Sequence, residues 1–154
     1  MRNSFKVMVT TVACTLFLGG AAFGQSSEKR IKMADLPPAV QKTVQEQSKG
    51  ATVRGVSKEV EKGKTFYELE TTVNGKSRDV LIDPSGAVVE IEDEVSLDSL
   101  PAAAREAIQK SAGDGKILKV ESVRKGTSVT YEATVQKAGK KSEIAVKADG
   151  TVIP

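Results

Sequence analysis

The sequence predicts an α+β fold made of two tandem modules, each with one helix packed on a four-stranded antiparallel sheet meander. The first observation behind this prediction is an internal repeat, because residues 36–90 match residues 100–154 at a constant offset of 64 positions. The second is a change of apolar spacing within each copy, from every fourth residue to every second residue. The third is a two-residue turn signal between the alternating segments of each copy.

The matched residues of the repeat are those on which a fold depends. They mark helix starts, strand positions and turn glycines, and the pairs are Leu36-Pro37 with Leu100-Pro101, Tyr67-Glu68 with Tyr131-Glu132, and Gly75-Lys76 with Gly139-Lys140. A module of this size buries only about 60% of the surface of its unfolded chain and is marginal by itself. We therefore expect the two copies to share a core or to lean on each other.

Residues 1–24 have the order of a secretory signal peptide. A basic segment at the start precedes an uncharged apolar run that ends in small residues. Cleavage is predicted after Gly24, with Ala22 as the second choice. An uncleaved anchor is the lesser alternative, because the run is shorter than the roughly 20 apolar residues that a spanning helix requires. Residues 25–34 are polar and charged, and they are predicted to be disordered.

A short amphipathic helix opens each module, at residues 35–91 for the first module and 99–154 for the second. In both copies proline lies in the first helical turn, where its missing N–H costs nothing. Apolar residues then follow at a spacing of four. The stripes are Leu36, Val40 and Val44 in the first copy, and Leu100, Ala104 and Ile108 in the second. One face of each helix should therefore pack on a sheet.

A β-hairpin follows in each copy, with its turn at Asn74-Gly75 in the first and at Ala138-Gly139 in the second. A two-residue turn determines which residues of the two strands face each other. The predicted facing pairs are Tyr67 with Ile82, Leu69 with Val80, Tyr131 with Val146, and Ala133 with Ile144. These pairs share one apolar face, and a one-residue slip would turn that face outward. A preceding strand and a short last strand complete each predicted sheet.

Residues 92–98 link the two modules. They contain neither Gly nor Pro, so they make a poor flexible hinge. We expect Val95 and Leu97 to dock in an apolar contact that the two modules share.

Composition excludes most catalytic chemistry. The chain has no His, and its single cysteine, Cys14, lies in the predicted signal peptide. His- or Cys-dependent catalysis and N/S-ligated zinc are therefore excluded. Removing Arg2 and Lys6 from the 23 basic residues leaves 21 against 20 acidic ones, a balance that does not favour nucleic-acid binding. The sequence predicts a protein that is not an enzyme and needs no cofactor.

Candidate site residues lie on the outer face of the first hairpin, opposite the apolar face. They are Phe66, Glu68, Glu70, Asp79, Leu81 and Asp83. Like charges directly opposite each other destabilise a sheet, so Glu70 facing Asp79 is a local cost that a function would explain. We interpret this acidic patch as a partner-binding surface. Burial against the other module and a plain solvated face are the alternatives.

The repeated Leu-Pro helix start, Tyr-Glu strand, Gly-Lys hairpin and Asp-Gly turn resemble the PepSY-like modules of secreted bacterial proteins. These modules are similar in fold to the tandem repeats of the beta-lactamase inhibitory protein. The resemblance implies a periplasmic or secreted, non-catalytic module that binds or restrains other proteins, peptidases in particular. The expected partner is an envelope or secreted protein, with no stable membrane insertion after signal cleavage.

A small-ligand or cation-binding sensor is the alternative from another functional class. Glu68, Glu70, Asp79 and Asp83 would supply the oxygen ligands that calcium prefers. Side chains on a flat sheet rarely converge enough to enclose an ion, so protein binding is the favoured hypothesis.

Overall fold

Within residues 27–154, nine antiparallel strands form one sheet, and each strand pairs with the next strand along the chain. The computed structural model describes residues 27–154. The strands are β1 (Ser27–Arg30), β2 (Thr52–Glu61), β3 (Lys64–Val73), β4 (Lys76–Ile82), β5 (Val88–Glu94), β6 (Lys116–Lys125), β7 (Ser128–Lys137), β8 (Lys140–Lys147) and β9 (Val152–Ile153). The α+β class is confirmed. The four strands predicted for each module lie within this single sheet as β2–β5 and β6–β9.

Two α-helices pack on the sheet, α1 (Pro38–Gln47) and α2 (Ala102–Ala112). A 3-10 turn precedes each of them, at Met33–Asp35 and at Leu97–Ser99. The predicted apolar stripes are buried. The first core contains Leu36, Val40, Val44, Val56, Tyr67, Leu69, Val80 and Ile82, and the second contains Leu100, Ala104, Ile108, Ala112, Val120, Ala133, Val135 and Val146. None of the helices in the described part of the chain is long and apolar enough to cross a membrane.

Both predicted hairpin registers are confirmed. Tyr67 pairs with Ile82 and Leu69 with Val80, and the corresponding pairs of the second hairpin also form as predicted. The turn residues explain this accuracy. Asn74 and Gly75 have φ values of 51° and 80°, and Ala138 and Gly139 have 50° and 78°. Two residues with positive φ make the tight turn whose twist matches that of the flanking strands.

The junction between the two halves is a pair of hydrogen-bonded strands. β5 pairs with β6 from Ile91 opposite Arg124 to Glu94 opposite Glu121. The prediction of a linker over residues 92–98 is therefore wrong in its first half, which is strand. Val95 continues the pairing by donating its N–H to the Val120 carbonyl at 2.9 Å.

The expected apolar contact between the halves is also wrong, because Val95 and Leu97 pack only against the second core. What joins the halves is backbone hydrogen bonding along β5 and β6. Such bonding needs no apolar side chains. An apolar pattern is therefore a poor guide to this contact.

The segment predicted to be disordered, residues 25–34, contains ordered structure. Ser27–Arg30 forms β1 on the edge of β2, and Met33–Asp35 forms the 3-10 turn. The prediction is wrong for these residues, because polar side chains suit an edge strand whose stability comes from the backbone. Residues 25 and 26, the predicted signal peptide and its cleavage site lie outside the described residues.

β1 also extends the repeat. It pairs with β2 at Ser27 opposite Val60 and at Arg30 opposite Ser57. Adding 64 to each number gives Ile91 opposite Arg124 and Glu94 opposite Glu121, which are the pairs observed between β5 and β6. The structural repeat therefore runs from residue 27 to residue 90 and again from residue 91 to residue 154.

Both helices lie on the same face of the sheet. Residues that pair across antiparallel strands share a face, and so do alternate residues along a strand. Val80 of the first core pairs with Ile91, which pairs with Arg124. Arg124 is on the same side of β6 as Val120 of the second core. The opposite side, called the outer face below, is therefore continuous across both halves.

Gly86 ties the turn between β4 and β5 to α1. Its φ is 88°, and a Cβ there would lie 2.7 Å from the carbonyl oxygen of Ala39. Thr43 Oγ1 donates a hydrogen bond of 2.6 Å to the Gly86 carbonyl. Gly150 makes the same close approach to Ala103, at 2.8 Å. Each helix is thus held at a distance that only glycine permits.

We predict that Gly86→Ala destabilises the protein more than Gly63→Ala. Gly63 has a φ of 78°, and a Cβ added there would meet no neighbouring atom within 4 Å, so its replacement incurs only the left-handed backbone penalty of about 1–2 kcal/mol. Gly86→Ala adds the clash with Ala39, about 1–3 kcal/mol more. Urea unfolding of both variants measures the difference. Equal losses of stability would contradict the close packing of the turn on α1.

Candidate functional site

The outer face brings together most of the predicted site residues. Glu68 pairs with Leu81 and Glu70 with Asp79, as the hairpin register predicts, and Phe66 lies two residues before Glu68 on β3. Asp83 lies just beyond the end of β4. Its Oδ1 accepts hydrogen bonds from the N–H groups of Ser85 and Ala87, at 2.8 and 3.1 Å. The hydrogen bond from the Ser85 side chain lowers the pKa of Asp83.

The second module does not cover this face. The two halves lie side by side in one sheet, with both helices on the inner face. The alternative of burial against the other module is therefore wrong. The outer face continues from β4 onto β5 and β6 through Glu90, Glu92, Glu94, Glu121 and Val123.

Two arginines neutralise the facing carboxylates Glu70 and Asp79. Arg30 Nη2 lies 2.7 Å from Glu70 Oε2, and Arg54 Nη2 lies 2.7 Å from Asp79 Oδ1. Glu70 is only 3% exposed. A buried carboxylate without a partner would be strongly destabilising. Two ion pairs within the fold therefore offset the repulsion expected between Glu70 and Asp79.

Gly55 lets Arg30 reach Glu70. A Cβ on Gly55 would lie 1.3 Å from Arg30 Nη1, so the guanidinium occupies the space of the absent side chain. Gly55 is opposite Glu70 and follows a bulge in β2 that also carries Arg54. Sequence reasoning missed both arginines, because Arg30 lies in the segment predicted to be disordered and bulges leave no clear pattern.

In the second repeat a lysine neutralises a carboxylate of the outer face. Lys119 stands where the first repeat has Gly55, and its Nζ lies 2.5 Å from Glu121 Oε1. Farther along the face, Lys125 Nζ lies 2.9 Å from Glu90 Oε2. The four cationic side chains of this region therefore each hold one carboxylate.

Two glutamates of the outer face hydrogen-bond to another glutamate. Burial, followed by the charge of Glu59 and a hydrogen bond to it, raises the pKa of Glu68 to about 9. Burial, followed by the charges of Glu121 and Glu90, raises the pKa of Glu92 to about 8, and Glu92 hydrogen-bonds to Glu90. A shared proton removes the repulsion that two adjacent carboxylates would suffer. Burial and the neighbouring carboxylates therefore favour the protonated forms of Glu68 and Glu92.

A third group of carboxyls crosses the junction of the halves. Single carboxylate oxygens of Asp79, Glu92 and Glu121, from β4, β5 and β6, lie within 4.8 Å of one another. Of the four residues predicted as cation ligands, only Asp79 belongs to this group. Glu92 and Glu121 were missed because the sequence prediction places them in the linker and in the other module. Pairing between β5 and β6 is what brings them together.

Stability is predicted to fall as pH rises from about 5 to about 9. In this window the folded chain holds protons on Glu68 and Glu92, whose pKa values are raised to about 9 and 8, while the unfolded chain has released them. The slope should be at most about 1.4 kcal/mol per pH unit for each glutamate.

The double variant Glu68→Gln, Glu92→Gln should flatten this pH dependence and be the more stable protein at pH 9. Glu106→Gln, which removes an exposed glutamate of α2, is the matched control and should keep the wild-type slope. Thermal melts from pH 5 to pH 9 measure both. An unchanged slope in the double variant would show that the shared protons are not there.

Comparison with known proteins agrees with this architecture. The family described as "Putative beta-lactamase-inhibitor-like, PepSY-like" matches residues 24–89 and again residues 73–153. No curated protein matches the chain.

Three solved structures share the fold. A "putative periplasmic" protein from Bacteroides eggerthii has a TM-score of 0.63 at 22% identity, covering 77% of this chain and 86% of that one. A DUF2874 family protein from Bacteroides ovatus has a TM-score of 0.60 at 20% identity, covering 77% and 85%. A BLIP-like protein from Bacteroides fragilis has a TM-score of 0.57 at 22% identity, covering 77% and 84%. With both of its repeats matched, the chain belongs to the PepSY-like, beta-lactamase-inhibitor-like family.

Proposed function

We propose that this protein is a non-catalytic, periplasmic or secreted module that binds another protein through the outer face of its sheet, as an inhibitor or regulator of an envelope protein or peptidase. The observation that carries this proposal is the outer face itself. It is continuous over both halves, lies opposite both helices, and holds the half-buried Phe66 and Leu81 among carboxyl groups. Apolar anchors within a polar surround are the usual composition of a protein interface.

The family to which the chain belongs supports a protein-binding, inhibitor-like function. Its description is inhibitor-like, and a similar fold occurs in a protein described as periplasmic. The predicted signal peptide agrees with an extracytoplasmic site of action. Catalysis is disfavoured by the residue types, because the chain has no His and no Cys after residue 14.

Phe66→Ser combined with Leu81→Ser should abolish capture of the partner in a pull-down from the cell envelope. Both side chains are half-buried on the outer face, so their loss removes apolar contact area without opening either core. Val129→Ser, which changes an apolar residue exposed on β7, is the matched control. Recovery of the same partner by the wild type and by the double variant would remove this surface from consideration.

Cation binding is the second candidate, and the group Asp79, Glu92 and Glu121 is the observation that favours it. Two of these carboxylates already have cationic partners, since Arg54 pairs with Asp79 and Lys119 with Glu121. Calcium prefers six to eight oxygen ligands. Its binding here would require breaking both ion pairs.

We therefore predict that millimolar calcium leaves the melting midpoint unchanged. A ligand that binds only the folded state must raise the midpoint. Thermal melts with calcium chloride and with an equal ionic strength of sodium chloride provide the comparison. A rise specific to calcium that disappears in Glu92→Gln would favour the cation sensor over the protein-binding module.

A further inference from the structure

Acidic groups are concentrated on one face of an otherwise balanced chain. Residues 27–154 carry 21 basic and 20 acidic side chains, after removing Arg2 and Lys6 from the total of 23 basic residues. Around the ion pairs of the outer face, eight carboxyl groups accompany four cations, of which Arg30 lies on β1 and Lys125 at the end of β6. The carboxyl groups are Glu59, Glu68, Glu70, Asp79, Glu90, Glu92, Glu94 and Glu121, and the cations are Arg30, Arg54, Lys119 and Lys125.

All four cations are already engaged with carboxylates on this face. Their ion pairs are Arg30 with Glu70, Arg54 with Asp79, Lys119 with Glu121, and Lys125 with Glu90. For Glu68 and Glu92 the compensating positive charge is a proton shared with a neighbouring glutamate. A proton in this role can be replaced by an external cation.

A buried hydroxyl provides an independent sign that a ligand group is missing from this face. Ser57 lies on the outer face of β2, directly opposite Glu68 of β3 and Arg30 of β1. It is 0% exposed, and its Oγ has no hydrogen-bond partner among the described residues. A buried hydroxyl left unpaired costs about 1–3 kcal/mol. A polar group of a ligand on this face would supply the partner that this hydroxyl lacks.

We propose that the partner of the outer face presents a segment rich in Lys and Arg, whose cationic groups lie over the pairs Glu59–Glu68 and Glu90–Glu92. This inference rests on the proposed function and specifies the chemistry of the partner. Charge complementarity selects a basic segment over an acidic one, since like charges across an interface are strongly unfavourable. Phe66 and Leu81 would contact the apolar stems of the same long side chains.

The charged groups around Glu68 and Glu92 determine how each pair responds to an external cation. Glu68 is faced by Glu59 and Ser57 from β2, by Leu81 and Asp79 from β4, and by Glu70 on its own strand. Glu92 is surrounded by Asp79 of β4, Glu90 and Glu94 of β5, Glu121 and Lys119 of β6, and Glu132 of β7. Most of these neighbours are acidic. Binding of a basic segment should therefore be linked to proton release.

Calorimetric titration of the chain from residue 25 to residue 154 with decalysine tests the proposal. The titration is run at pH 7 and low salt in two buffers of different ionisation enthalpy, PIPES and imidazole, so that the heat difference counts the protons released. We expect decalysine to bind with proton release and a decamer of alternating Gly and Ser not to bind. In Glu68→Gln, Glu92→Gln the proton release should vanish and the affinity should fall at least tenfold. Glu106→Gln on α2 should behave as the wild type.

Three results would overturn the proposal: no binding of decalysine, binding without proton release, or unchanged proton release in the double variant. Equal proton release on adding millimolar calcium chloride instead of decalysine would assign the pairs to a metal ion and also overturn it. The proposed function is tested separately by the pull-down. If Phe66→Ser with Leu81→Ser loses its envelope partner while decalysine does not bind, the face is a binding surface for a partner that is not basic.

Discussion

The hydrogen-bonded pairing of β5 with β6 is the contact on which the rest of this structure depends. Each repeat has a small core of one helix against a few strands, and a unit of that size is marginal in stability. The residues from Ile91 to Glu94 extend the sheet of the first repeat onto the second without an apolar contact between the two cores. The result is one sheet with a single outer face. Separate sheets would place Asp79 and Glu121 on different surfaces.

The concentration of charge on this face follows from that pairing. Strand alternation directs most apolar residues toward the helices, and the acidic residues of neighbouring strands accumulate on the opposite side. The fold compensates in two ways. Arginine and lysine hold four of the carboxylates, and protons shared between glutamates compensate Glu68 and Glu92. A basic partner of the kind proposed would exchange these protons for its own cationic groups.

Local sequence signals predicted the hairpins and helices accurately. Asn74-Gly75 determines the register of β3 and β4 because its two positive φ values allow one tight turn, and the apolar pairs then follow by counting. The apolar stripes of α1 and α2 also identified residues of both cores, because the helical period of the apolar residues matches the pattern of burial. In both cases the determining residues are close in sequence.

The contacts that were missed depend on backbone pairing between distant segments or on special geometry. β1 is polar and too short to show an alternating pattern, so nothing in its composition distinguished it from a disordered segment. The extension of β5 into the predicted linker was missed because the matching residues of the repeat begin only at Leu36. The offset of 64 relates Ser27–Arg30 to the segment 91–94, but only one of the four positions is identical, Glu28 with Glu92. The bulge that carries Arg54, and the space that Gly55 leaves for Arg30, have no signature that sequence reading could use.

Differential scanning calorimetry of the intact chain from residue 25 to residue 154 tests the central claim most directly, that both repeats form one cooperative sheet. If the pairing of β5 with β6 unites them, the protein should unfold in one transition whose calorimetric and van't Hoff enthalpies are equal. Two resolved transitions, or a van't Hoff enthalpy near half the calorimetric value, would show that the repeats unfold independently and that the outer face is not a single surface.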